Sequence, residues 1–207
     1  IVDFVHNETN SKICVQLGHA GRKASCNIGW IDRGAPLKNG KWQILAPSSI
    51  PFSPTSAIPK EMDRSDMDKV RDDYVRSAQM AAEAGFDMIE FHGAHGYLLS
   101  SFISPISNVR TDNYGGSLEN RMRFPLEVLS AVRDVWPSEK PISVRISAED
   151  WVGDRGNTGA EAVIIAKLFY DTGADIIHVS AGQTSSEQKP IYGRMSVSYT
   201  HLRAHET

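Results

Sequence analysis

The chain has 207 residues, 41% of them hydrophobic and 23% charged, which is enough apolar material for one globular domain with a sizeable core. Its formal net charge of -3, with lysines and arginines scattered along the chain, gives no electrostatic footprint for nucleic acid or an anionic membrane. The two cysteines, Cys14 and Cys26, lie outside any Cys-x-x-Cys spacing, and no signal peptide or run of about 20 apolar residues is present, so a reducing cytoplasm is the expected compartment.

The chain opens on Ile1-Val2-Asp3-Phe4-Val5-His6, which reads as the interior of a helix leading into a strand at 13–17 and predicts a piece of a longer protein. Residues 27–60 are rich in Pro, Gly and Ser and predict a long loop over one face; its Trp30, Trp42 and Phe52 are candidates for a wall against a substrate. Met67, Val70, Tyr74, Ala78 and Ala81 recur at helical spacing and predict a helix over 66–84 that stops at Gly85. A strand follows at 88–92, then a long polar block, a helix at 119–135 ended by Trp136-Pro137, and a strand at 142–146. A helix at 160–171 stops at Gly173, and a strand occupies 176–180. Residues 196–207 have no clear period and resemble a translated sequencing-adapter tail, so the expected division is a domain over 1–195 and a non-native or unstructured tail over 196–207.

This βα alternation implies a parallel sheet covered by helices, either open and doubly wound or closed into a barrel. In each strand one parity is nearly all apolar: Ile13, Val15, Leu17; Ile89, Phe91; Ile142, Val144, Ile146; Ile177, Val179. The other parity carries Cys14 and Gln16, Glu90 and His92, Ser143, Arg145 and Ser147, His178 and Ser180. An unpaired buried polar group costs several kcal/mol, so four strands aiming polar side chains the same way fit the C-terminal mouth of a (β/α)8 TIM barrel better than a face packed on helices.

Three segments carry a resemblance. Val15-Gln16-Leu17-Gly18-His19-Ala20-Gly21-Arg22-Lys23, the block from His92-Gly93-Ala94-His95-Gly96-Tyr97 to Arg123, and Ser143-Val144-Arg145-Ile146-Ser147 resemble the old yellow enzyme family of flavin-dependent oxidoreductases. The likeness runs over about 11–195 and implies part of a TIM barrel, its third to sixth strands. It also implies FMN as cofactor, NADH or NADPH as hydride donor, and an acceptor with an activated C=C bond, an enone or enoyl thioester. By the same resemblance Gln16 matches the residue on the flavin pyrimidine edge, and Arg145 the cation near flavin N1 and O2. Lys23 matches a position near the flavin or substrate edge. His92 and His95 match the pair that binds the substrate carbonyl oxygen, and Tyr97 the proton donor. The implied partner is a small molecule, with homo-oligomerisation of a full-length protein left open. The family segments that wrap the flavin phosphate are missing, so the 207-residue chain alone is also readable as a catalytically inactive piece.

Other readings stand beside these. His92 is compatible with a core histidine, Gln16 and Arg145 with an internal polar network, and Lys23 with a solvated loop charge. His19 and Arg22 read as loop-shaping residues, and His178 as barrel filling outside the site. His92 and His95 with Glu90 nearby also suggest a metal-dependent barrel hydrolase, although His-x-x-His on an extended segment turns the rings apart and shows no third ligand spacing. Arg110, Asp112, Tyr114, Glu119, Asn120, Arg121 and Arg123 are dense in charge but read as a lock on the loop after the strand at 88–92, with Ser117 as a helix cap.

Overall fold

Alternating apolar and polar positions produce four parallel strands, and the sequence segments between them produce the helices that cover them. In the computed structural model, which describes residues 1–28, 30 and 34–190, the elements are α1 (Val2–Glu8), β1 (Cys14–Leu17), β2 (Leu45–Ala46), β3 (Lys60–Glu61), α2 (Arg64–Glu83), β4 (Met88–Gly93), α3 (Leu98–Ile103), α4 (Leu118–Arg133), β5 (Ile142–Ser147), α5 (Gly159–Asp171) and β6 (Ile176–Ser180). The main sheet has the order β1-β4-β5-β6, all parallel. Each strand therefore pairs with the next main strand in the chain, with α2, α4 and α5 as crossovers. That sequential order has no switch point, which is the wiring of a barrel wall rather than of a doubly wound sheet.

Register places the polar parity in rows. Gln16 lies opposite Glu90 and Glu90 opposite Ser143. One step up the strands, His92 lies opposite Arg145 and Arg145 opposite His178. The next step pairs Ser147 with Ser180. On the other face Ile89, Phe91, Ile142, Val144 and Ile146 are buried against the helices, including Tyr74 of α2, whose ring stacks on Phe91 at 5.6 Å between centroids.

The crossover helices start where their caps dictate. Asp63 accepts from the Asp66 amide while Asp66 accepts from the Asp63 amide, which opens α2 at Arg64, two residues before the expected start at 66. Ser117 caps α4 through the Asn120 amide, and Thr158 with Glu161 forms the same reciprocal box at α5. The period locates the buried stripe but not the first polar turn, which explains why each helix starts one or two residues before its expected span.

Two features differ from the sequence expectation. The loop over 27–60, described except at 29 and 31–33, contains the two-residue strand β2, paired in parallel with β3 at the loop's end: Leu45 opposite Lys60 and Ala46 opposite Glu61. The short helix α3 was not expected. All six of its residues, Ser100 and Ser101 included, are buried, so it has no exposed face and no amphipathic period. The expected tail at 196–207 lies outside the described residues. Among the described residues no helix is long and apolar enough to cross a membrane.

The charged block after β4 is a structural lock. Arg110, its side chain 7% exposed, donates through Nη1 to the carbonyls of Pro47 and Met62, at 2.9 and 2.8 Å, and pairs through Nη2 with Asp112. Its backbone lies so close to Gly115 that a Cβ there would sit 2.2 Å from the Arg110 carbonyl oxygen. Arg121 donates to the carbonyls of Ile103 and Gly116 and reaches Glu161 of α5. Arg123 donates to the Asn113 carbonyl. Replacing Arg110 by Ala strands two carbonyls and Asp112, and chemical denaturation should show a loss of about 2–3 kcal/mol. An unchanged unfolding midpoint would show that Arg110 is not holding this loop.

Candidate active site

The site begins where β4 ends. His92 is the last imidazole on the strand's polar parity, and the chain then turns sharply through His95 (φ 60°) and Gly96 (φ 69°) before Tyr97 opens α3. Histidine is among the residues that tolerate the left-handed region. Gly96 has a second reason: a Cβ there would lie 2.8 Å from the Gln183 carbonyl oxygen, so the loop after β6 packs directly on its backbone. The Tyr97 amide donates back to the Ala94 carbonyl, and the Leu98 amide to the His19 carbonyl of the loop after β1.

This turn gathers three rings. His92 and His95 meet edge to face with centroids 5.0 Å apart, and His92 and Tyr97 do so at 4.7 Å. The Ala94 amide donates to His92 Nδ1 at 3.3 Å, which leaves the ring proton of the neutral form on Nε2. The His95 amide donates to Ser147 Oγ at 2.9 Å, and its Nε2 lies 2.6 Å from Ser180 Oγ. Burial, followed by the positive charge of Arg145, holds His92 below the ordinary imidazole range. The same two causes, joined by His92, Lys23 and His178, bring His95 down to about 4. Both rings are therefore neutral near pH 7.

Below them on the same face is a polar hub. Glu90 accepts from Gln16 Nε2 at 2.7 Å and from Ser143 Oγ at 2.8 Å, and lies 2.8 Å from His178 Nδ1. Burial pushes this carboxyl up, but the bonds from His178, Gln16 and Ser143 outweigh it and the group stays below its ordinary value. His178 is thus a partner of the polar row rather than mere filling. Arg145 reaches Ser180 Oγ through Nη2 at 3.5 Å, and its buried Nε has no hydrogen-bond partner.

Lys23 points inward. Its ammonium donates to the carbonyls of His95 and Gln183, at 2.7 and 2.6 Å, and stands 4.2 Å from the centre of the Phe52 ring. Phe52 is thereby the residue of the long loop that meets the site, whereas Trp30 and Trp42 are exposed. His19 and Arg22 shape the loop after β1: His19 Nδ1 accepts from the Gly21 amide, and Arg22 donates to the carbonyls of Ile50, Pro51 and Thr184. All six residues singled out by sequence thus lie on one rim, Gln16, His92 and Arg145 on the strands and Lys23, His95 and Tyr97 on the loops that follow them. The sequence reading missed the bonding roles of Glu90, Ser147 and Ser180, whose one signal was their parity. Among the described residues no group of three or more His, Cys, Asp or Glu side chains is arranged to hold a metal ion.

Known proteins share this fold. The chain is 41% identical over 196 residues to an NADPH dehydrogenase of Clostridium acetobutylicum, covering 95% of this chain and 54% of that one. Its fold superposes on morphinone reductase with a TM-score of 0.72 at 27% identity, over 96% of this chain and 55% of the other. It superposes equally, TM-score 0.72 and 27% identity, on 2-naphthoyl-CoA reductase in complex with 2-naphthoyl-CoA, over 89% of this chain and 28% of that one. The chain spans about half the length of the curated relatives it matches. Residues 1–201 match the family model described as the NADH:flavin oxidoreductase / NADH oxidase family, and with it the (β/α)8 barrel of its structural neighbours: the chain belongs to that family.

Proposed function

We propose that this chain forms the substrate side and part of the flavin cradle of an FMN-dependent oxidoreductase that uses NADH or NADPH to reduce an activated C=C bond. The observation that carries this reading is the cluster of His92, His95 and Tyr97 beside an arginine, Arg145, that keeps a buried, unpartnered donor. The residues fit the cofactor. Gln16 has one N–H committed to Glu90, which leaves a carbonyl oxygen and an N–H, the complement of an imide edge such as that of the flavin pyrimidine. Arg145 Nε is a donor awaiting an acceptor, and its permanent charge favours an electron-rich ring beside it. Lys23 stands apart from this cradle, with two of its donors on the His95 and Gln183 carbonyls.

When bound, FMN supplies the hydride. The protein's part is to bind and polarise the acceptor and to manage one proton. His92 offers Nε2–H to a carbonyl oxygen, and neutral His95 beside it offers a second ring N–H, so negative charge developing on that oxygen meets two donors in a partly buried site. Tyr97, packed on His92, delivers the proton to the carbon next to the carbonyl. The names of two similar proteins, morphinone reductase and 2-naphthoyl-CoA reductase, support an enone or an unsaturated thioester as the acceptor class.

The direct experiment is to purify the protein, titrate it with FMN, and follow nicotinamide oxidation with a panel of enones and enoyl thioesters. A colourless protein that refuses FMN would end this reading. Tyr97→Phe should leave FMN binding and flavin reduction by NADPH intact while slowing reoxidation by an enone about 10²–10⁴-fold; His92→Ala should lower kcat/KM about 10²–10³-fold. Equal rates in Tyr97→Phe would remove the tyrosine from the proton path.

The imidazoles also set a pH response. His95 has an ordinary value of 6.5 and a folded value of about 4, so the unfolded chain takes up its proton first as pH falls. The associated stability is fully present above about pH 6.5 and is lost on acidification through about pH 4. Unfolding midpoints measured from pH 7 to 4 should fall, and His95→Gln should flatten that slope; an identical slope in the variant would place the acid sensitivity elsewhere.

A further inference from the structure

Two non-glycine residues in the left-handed region face each other across the site. They are His95 in the loop after β4 (φ 60°) and Gln183 in the loop after β6 (φ 64°). Their carbonyl oxygens converge on a single group, the Lys23 ammonium from the loop after β1, at 2.7 and 2.6 Å. Two carbonyl dipoles pointing at one spot repel each other unless a cation sits between them. Gly96, next to His95, packs on the Gln183 carbonyl, where a Cβ would lie at 2.8 Å, so the two loops are already in backbone contact at this point. The ammonium is itself seated on the Phe52 ring at 4.2 Å and 5.6 Å from the centre of Tyr97, which ties the long loop to the same point.

We propose that Lys23 is a positioning residue for His95: its ammonium draws the His95 and Gln183 carbonyls together and so holds the left-handed turn that aims the His95 ring. The role deepens the carbonyl-binding function proposed above for His95 and rests on that reading. It differs from a flavin-edge role for the same lysine, because two of its three donors go to backbone carbonyls of the substrate loops. Lysine suits the task better than arginine, since a compact ammonium directs its donors to separate points whereas a guanidinium presents a flat fork. The same charge adds to burial, Arg145 and His92 in opposing protonation of His95.

The test uses Lys23→Met, which keeps the stem and removes the donors, in protein carrying isotope-labelled histidine and glutamine, with and without added FMN. Without flavin, NMR of the wild type should give left-handed backbone shifts at His95 and Gln183; in Lys23→Met both should move away from those values and His95 should titrate at higher pH. With flavin, FMN affinity should stay within about threefold while KM for an enone rises about tenfold, the factor that a lost positional contact of ordinary size gives. If Lys23→Met does not fold, Lys23→Gln, which retains neutral donors, should show the same upward titration with smaller backbone shifts. Unchanged His95 shifts and titration in either variant would overturn the proposal, and a tenfold loss of FMN affinity alongside them would assign Lys23 to the flavin instead. The flavin-free measurement decides the clamp even if the wild type refuses FMN, an outcome that would sink only the flavin reading.

Discussion

Parallel pairing in register is the constraint on which the site depends. Side chains on a strand alternate between faces, and neighbouring parallel strands in register bring like parities into rows. Once Ile89, Phe91, Ile142, Val144 and Ile146 are buried against the helices, Gln16, Glu90 and Ser143 are forced into one row and His92, Arg145 and His178 into the next. A slip by one residue on any strand would turn a polar group into the apolar layer, at a cost of several kcal/mol for an unpaired group. The hydrophobic face therefore fixes the polar one, and the row chemistry is a consequence of core packing several ångströms away.

Above these rows the loops are held by charged groups whose work is structural. Arg110 and Arg121 each donate to two backbone carbonyls. A guanidinium answers several converging carbonyls at once, which suits irregular chain that cannot satisfy itself as a helix or strand does. Fully buried Asp150, in the loop after β5, plays the complementary part by accepting from Ser104 Oγ and the Asn157 amide. The loops after β4, β5 and β6 are thereby connected to one another and to Arg22, which reaches the Thr184 carbonyl. Rings mounted on such loops keep their relative angles without belonging to a regular element.

The electrostatics of the rim divide by depth. Glu90 supplies negative charge low on the strands, where Gln16, Ser143 and His178 surround it. Arg145 and Lys23 supply positive charge at the level of the imidazoles and, with burial, keep both neutral. Neutral imidazoles beside fixed cations are hydrogen-bond donors that change little with pH near 7. That arrangement suits binding to an oxygen on which negative charge grows.

Local pattern reached the four strands of the main sheet, the helices α1, α2, α4 and α5 and the polar parity, because period-two alternation and helical spacing are written within a few residues of contiguous chain; the six rim residues came from the resemblance of three short segments to a known family. It could not reach α3, which is buried all round, or the pairing of β2 with β3, which joins the two ends of a long loop. Nor could it find where charges go once the chain closes. Lys23 looked equally suited to solvent, flavin or substrate, and its contact with the His95 and Gln183 carbonyls exists only because the loops after β1, β4 and β6 meet at one rim. The sequence by itself determined which side chains share a face, since the pleat is a property of each strand; the tertiary structure decided which of them touch, since hydrogen bonds between distant loops depend on register and closure that no local segment encodes.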